Sequence, residues 1–118
     1  MRKLLLVIGI LFIGISTQAQ EKNKNAKITF EVNGVCKMCK TRIEKAALKI
    51  KGVKFASWKV ETHQLSLIID EHKTDEITIH KSIAAVGHDT KKAQASDEAY
   101  NNLHDCCKYD RVNPEFGH

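Results

Sequence analysis

From Lys27 the chain alternates polar and apolar residues, with Ile28, Phe30 and Val32 on one side and Lys27, Thr29 and Glu31 on the other. A period of two predicts a half-buried strand, and Asn33-Gly34 ends it and opens a loop. The period then lengthens. Ile43, Ala46, Ala47 and Ile50 recur at three and four, with Arg42, Glu44, Lys45, Lys49 and Lys51 between them. That spacing predicts an amphipathic helix closed by Gly52. Val53 to Val60 reads as a second strand with Ala56, Trp58 and Val60 on one face. Glu61-Thr62-His63-Gln64 is a polar turn, and Leu65, Leu67 and Ile69 line the next strand of a hairpin.

Thr74-Asp75-Glu76 supplies a cap and first-turn acids for a second helix, with Ile79, Ile83 and Val86 on its apolar side and Gly87 at its end. A weaker strand is expected from about Asp89 to Ala95. The order βαββαβ predicts an α+β fold, a ferredoxin-like sandwich with two helices on a four-stranded antiparallel sheet. Beyond Ser96, Asp97 to His104 reads as a short helix. The stretch with Pro114 and Gly117 reads as disordered, with no regular structure expected past about Arg111.

The first residues are set apart from this domain. Arg2 and Lys3 precede an apolar run from Leu4 to Ile15, and Ser16 to Ala19 form a small, polar exit. Charge, apolar run and small-residue site in that order predict a secretory signal over 1–19, too short an apolar run for a bilayer anchor. The expected organisation is a signal at 1–19, a leader at 20–26, a domain at 27–95 and a cysteine-bearing tail at 96–118. Export, with a periplasmic location, follows as an expectation.

Without Arg2 and Lys3 the 19 basic residues become 17, against 14 acidic ones, leaving a formal charge of +3. So mild an excess, spread along the chain, does not argue for nucleic acid. No membrane association is expected once the signal is removed. No Ser-His-Asp set, carboxylate pair or phosphate loop is visible, so an enzyme is not expected.

Four cysteines form two close pairs, Cys36/Cys39 and Cys106/Cys107. Cys36-Lys37-Met38-Cys39 lies at a strand-to-helix junction. Two intervening residues let a bent loop bring both sulfurs toward one point, and a helix N-terminus favours the thiolate. Lys37 and Lys40 are expected to act in the same direction. Thiolates select soft ions. One pair does not complete a tetrahedral zinc site, so Cu(I) or Hg(II) suits the ligand count better than Zn(II). Two other readings stand beside this one: a thiol-disulfide carrier, and an inert disulfide of a kind that constrains so short a loop little.

The stretch from Gly34 to Cys39, with Arg42-Ile43-Glu44-Lys45-Ala46 and Gly52-Val53, resembles the heavy-metal-associated domain family of copper chaperones, copper-ATPase modules and periplasmic mercury-binding proteins. The likeness covers about 27–95. Gly87-His88-Asp89-Thr90 and Cys106-Cys107-Lys108-Tyr109 resemble an exported bacterial subgroup. The resemblance implies an accessible CxxC that takes up and hands over a soft metal to a metal-transporting or metal-accepting protein, without catalysis. The family motif carries Met two residues before the first Cys, where this chain has Gly34. That Met packs under the loop, and its absence removes that support.

By the same resemblance, His88 lies at the CxxC end of the sheet, able to donate a nitrogen to the metal or a hydrogen bond to a thiolate. The bland reading is a loop histidine capping helix carbonyls. Cys106 and Cys107, near His104, have three readings: completing a four-sulfur site that shifts preference to Zn(II), forming a separate soft-metal or redox site, or cross-linking molecules. A flexible second loading point is the preferred one. Trp58 is expected in the core, and His63, His72 and His80 in solvent. The lysine-rich helix exterior is a solvated face or a docking surface for an acidic partner. A dimer sharing one Cu(I) between two CxxC loops is compatible with the ligand count.

Overall fold

The computed structural model describes residues 21–112. The expected signal, and the terminal stretch with Pro114, Gly117 and His118, lie outside the described residues. The first strand, β1 (Ala26–Glu31), leads through a loop to α1 (Lys37–Leu48), followed by β2 (Val53–Trp58), β3 (Gln64–Ile69), α2 (Glu76–Ala85) and a short α3 (Asp97–Asn101). A single 3₁₀ turn covers Asp105–Cys107.

The sheet is antiparallel with order β1-β3-β2. Its register explains the alternation in the sequence. Phe30, Leu65 and Trp58 stand opposite one another, as do Ile28, Leu67 and Ala56, so the apolar side chains of all three strands share one face. A bulge between Val53 and Phe55 keeps Val53 opposite Ile69. Ile43, Ala46 and Ala47 of α1 and Ile79 and Ile83 of α2 close the core. The cap at α2 is as expected: the Asp75 carboxylate accepts the Thr78 N–H at 2.9 Å. Gly52 and Gly87 both take positive φ after their helices, at 106° and 107°.

Three expectations are corrected. First, the fourth strand does not form among the described residues; one bridge, Val32 to Thr90, stands in its place. The Asp89 carboxylate accepts the Ala95 N–H at 2.7 Å, and the Thr90 hydroxyl accepts the Ala93 N–H at 3.1 Å. Side chains that capture backbone donors in this way fold the segment into a turn. Second, β2 ends at Trp58, because His63 at φ 60° turns the chain early and its N–H donates to the Lys59 carbonyl.

Third, His80 is buried. Its ring stacks on Phe30 at 3.8 Å between centroids, and Nδ1 and Nε2 face the Thr90 hydroxyl and the Glu76 carboxylate. With both ring nitrogens partnered, the cost of burial is met. His63 also leaves solvent in part, stacking parallel to Trp58 at 5.7 Å.

Trp58 occupies the space that Gly34 leaves. A Cβ on Gly34 would lie 3.0 Å from the indole and 3.1 Å from the Cys39 Cβ, so the ring passes directly beneath the cysteine loop. Its Nε1–H donates to the carbonyls of Val32 and His63 at 3.0 and 3.1 Å. Trp58→Phe removes that donor and part of the ring, and is expected to cost about 2 kcal/mol of stability. Urea unfolding followed by circular dichroism measures it, and an unchanged midpoint would show that the loop does not lean on the indole.

Candidate metal centre

The cysteine loop is held from three sides. Cys36 is the N-cap of α1, with extended backbone, and its carbonyl accepts the Lys40 N–H at 3.1 Å. Cys39 lies in the first turn and is fully buried. Its neighbour Lys40 does not face the thiols. The ammonium pairs with Glu44 and donates to the Trp58 carbonyl at 2.9 Å, while Glu44 accepts the Trp58 N–H at 2.8 Å. These bonds fasten α1 to β2. The positive charge expected from Lys40 at the sulfurs is therefore engaged elsewhere.

The sulfurs of Cys36 and Cys39 are 3.4 Å apart. The tail brings the second pair to the same place: Cys107 Sγ lies 3.3 Å from Cys36 Sγ, and Cys106 Sγ lies 3.9 Å from it. The sulfurs of Cys36, Cys106 and Cys107 all lie within 4.8 Å of one another. All four thiols are free. The Met38 thioether lies 3.4 Å from Cys106 Sγ, adding a fifth soft atom at the exposed edge. Such a donor set suits a soft cation and not a hard one.

The thiols differ in acidity. Burial raises the Cys36 thiol, but the Cys39 N–H, the thiols of Cys107 and Cys39 and the Met38 N–H outweigh it and lower the pKa to about 7. Burial pushes Cys39 up to about 12, and local desolvation by the crowding sulfurs, with the thiols of Cys107 and Cys36, pushes the solvent-facing Cys106 up to about 11. Cys36 thus ionises before Cys39 and Cys106.

The tail is not the flexible loading point expected of it. Leu103, Cys107 and Tyr109 are part of the hydrophobic core. Gly87 makes room for the tail, since a Cβ there would meet the Ala99 carbonyl and the Leu103 side chain at 2.8 Å. The Tyr109 hydroxyl donates to the Gly87 carbonyl and accepts the Asp89 N–H, each at 2.8 Å. Arg111 then grips Asp89 with two parallel bonds of 2.9 and 3.0 Å and donates to the Ala95 carbonyl at 2.8 Å. The clasp of Tyr109 and Arg111 on Gly87 and Asp89 is not foreshadowed by the sequence, although Asp89 and Tyr109 stand in stretches that carry the family likeness. Tyr100, Leu103, Cys107 and Tyr109, apolar or aromatic at close spacing, were the signal that this segment packs.

His88 sits behind the loop and not among the clustered sulfurs. Its Nδ1–H donates to the Asn33 carbonyl at 2.7 Å, and the ring stacks near Tyr109. Nε2 is buried without a partner. His88 thereby links the residue before Gly34 to the segment that carries the tail. His104, exposed, caps the 3₁₀ turn with its carbonyl, which accepts the Cys107 N–H.

Residues 29–89, more than half of the chain, match the family model for the heavy-metal-associated domain. Over 67 residues the chain is 37% identical to a zinc-transporting ATPase of Synechocystis, a match spanning 56% of this chain and only 9% of that ATPase. Among solved structures, the fold is similar to the CopZ metallochaperone, with TM-score 0.54 and 29% identity over 55% of this chain and 98% of that one. A copper-binding domain from the P-type ATPase HMA7 is similar too, with TM-score 0.53 and 26% identity over 55% of this chain and 89% of that one.

The burial of His88 has a consequence for acid stability. Burial, with the positive charge of Arg42, outweighs the Asn33 carbonyl and Asp89 and lowers its pKa from 6.5 to about 4. Between those values the unfolded chain takes up a proton that the folded chain refuses. Stability is therefore complete above pH 6.5 and declines as pH falls toward 4, by up to about 3 kcal/mol from this group. His80, also lowered by burial, adds in the same direction. Urea midpoints of the reduced, metal-free protein at pH 7.5 and 4.5 measure the decline, and His88→Asn, which keeps an N–H for Asn33, is expected to shrink it. An equal decline in both proteins would place the acid sensitivity elsewhere.

Proposed function

The chain belongs to the heavy-metal-associated domain family, and from that premise we propose that it is an exported soft-metal carrier whose Cys36 and Cys39 bind Cu(I) and buffer or deliver it. Hg(II) and Zn(II) are the rival ions. The observation that carries the reading is the pair of sulfurs 3.4 Å apart at the start of α1, one poised to ionise near neutral pH, with Trp58 packed beneath the loop at Gly34 and Cys39. Soft sulfur donors and the likeness to a copper-binding ATPase domain support Cu(I), while the likeness to a zinc-transporting ATPase keeps Zn(II) in view. Export rests on the charge, apolar run and small-residue exit of residues 1–19.

The partner proposed is a protein that accepts or transports the metal. Lys37 and Lys45 on α1, with Lys49 capping its C-terminus, offer a basic surface to an acidic one. A second reading, thiol-disulfide exchange through the same pair, draws on one observation: the Cys107 sulfur lies as near to Cys36 as Cys39 does.

An anaerobic Cu(I) titration of the reduced protein against a competing Cu(I) chelator decides between them. One ion per chain is expected, lost in Cys36→Ser/Cys39→Ser. No competition by the parent protein would contradict the copper reading. Reversible cycling with a thiol oxidoreductase in the absence of metal would then favour the carrier of disulfides.

A further inference from the structure

Two facing thiolates suffice for a soft ion that prefers low coordination, yet this chain places two more sulfurs against them. Cys106 and Cys107 are adjacent in sequence and their sulfurs are 3.9 Å apart. They reach Cys36 at 3.9 and 3.3 Å across a separation of about seventy positions, so the approach is a product of the fold and not of the local chain. Cys107 is fully buried, as is Cys39, while Cys36 is half-buried and Cys106 open to solvent. The sulfurs of Cys36, Cys106 and Cys107 therefore form a shallow bowl, with Cys39 beside Cys36 on its buried side and Cys106 at the rim beside the Met38 thioether.

The spacing identifies what such a bowl fits. With metal–sulfur bonds of about 2.3 Å, sulfurs at the corners of a tetrahedron stand about 3.8 Å apart, and sulfurs on opposite sides of a two-coordinate ion about 4.6 Å apart. The Cys36–Cys106–Cys107 triangle, with sides of 3.3, 3.9 and 3.9 Å, and the Cys36–Cys39 separation of 3.4 Å lie nearer the first value, with Cys39 outside the close triangle. The tail is also fixed well enough to act as a ligand arm. Tyr109 and Arg111, two and four residues past Cys107, are anchored on Gly87 and Asp89. An arm ordered before the ion arrives loses little entropy on binding it.

We propose that Cys106 and Cys107 are ligands of the same ion as Cys36 and Cys39, so that the docked tail converts an open two-thiol site into a closed one of three or four sulfurs. This inference rests on the reading of Cys36 and Cys39 as metal ligands. Its chemical class of cargo is a soft d10 ion that accepts three or four thiolates: Cu(I) where three sulfurs bind, Zn(II) or Cd(II) where all four do. Each thiol that binds gives its proton to water, so no oxidant or reductant is needed. Arg111 is a positioning residue: it touches no sulfur and acts by holding the chain that bears two of them.

Cd(II) is the probe, titrated anaerobically into the reduced protein while the sulfur-to-cadmium charge-transfer band is read. One ion per chain is expected, with the band falling by about half in Cys106→Ser/Cys107→Ser and in Cys36→Ser/Cys39→Ser, as two sulfurs replace four. Arg111→Ala keeps every thiol and is expected to retain one ion per chain with affinity weakened at least about tenfold. An unchanged band and affinity in Cys106→Ser/Cys107→Ser would overturn the shared site and leave the Cys36/Cys39 reading standing. Two ions per chain, one lost with each pair, would overturn it likewise. A full signal that survives Cys36→Ser/Cys39→Ser would overturn both readings together.

Discussion

The Asp89 carboxylate holds the distal half of this molecule together. It accepts two bonds from the Arg111 guanidinium and one from the Ala95 N–H, and the N–H of the same residue donates to the Tyr109 hydroxyl. A carboxylate this buried is costly unless its lone pairs are filled, and a bidentate arginine fills them in a fixed geometry. Two effects follow from one residue. The chain after α2 turns instead of extending as a fourth strand, and the tail lies down across Gly87. Without that clasp, Cys106 and Cys107 would be on a free arm.

Beneath the cysteine loop a different constraint operates. Gly34 has no side chain to fill the space beside Cys39, and the Trp58 indole enters it from β2. The ring is positioned by two carbonyls, and Glu44 ties the Trp58 backbone to α1. The loop, the helix start and the sheet are thus one packed unit. His88 joins this unit to the clasp through the Asn33 carbonyl. Both thiol pairs are consequently placed by the same rigid body, which is why their sulfurs can meet.

Much of this was legible in the chain. The periods of two and of three-to-four located β1, α1, β3 and α2, because each element buries one face against a shared core. The CxxC at a helix start was legible because its spacing and its setting coincide. The fourth strand was misread because Asp89 and Thr90, whose side chains seize backbone donors, look like ordinary polar strand positions. His80 was misread because its partners, Phe30 and Thr90, come from distant segments. The tail was harder still. Tyr109 and Arg111 have no periodicity to announce them, and their partners lie about twenty residues upstream, so only the folded chain reveals that a terminal segment is part of the core.

Convergence of the two thiol pairs depends on the tail being docked in the reduced, metal-free protein. Solution NMR tests that most directly, through cross-relaxation between the Tyr109 ring and the protons of Gly87 and His88. Strong cross-peaks, lost in Arg111→Ala while those within β1, β2 and β3 persist, are the predicted result. Random-coil shifts from Cys106 to Arg111 in the parent protein, with no cross-peak to Gly87 or His88, would contradict it.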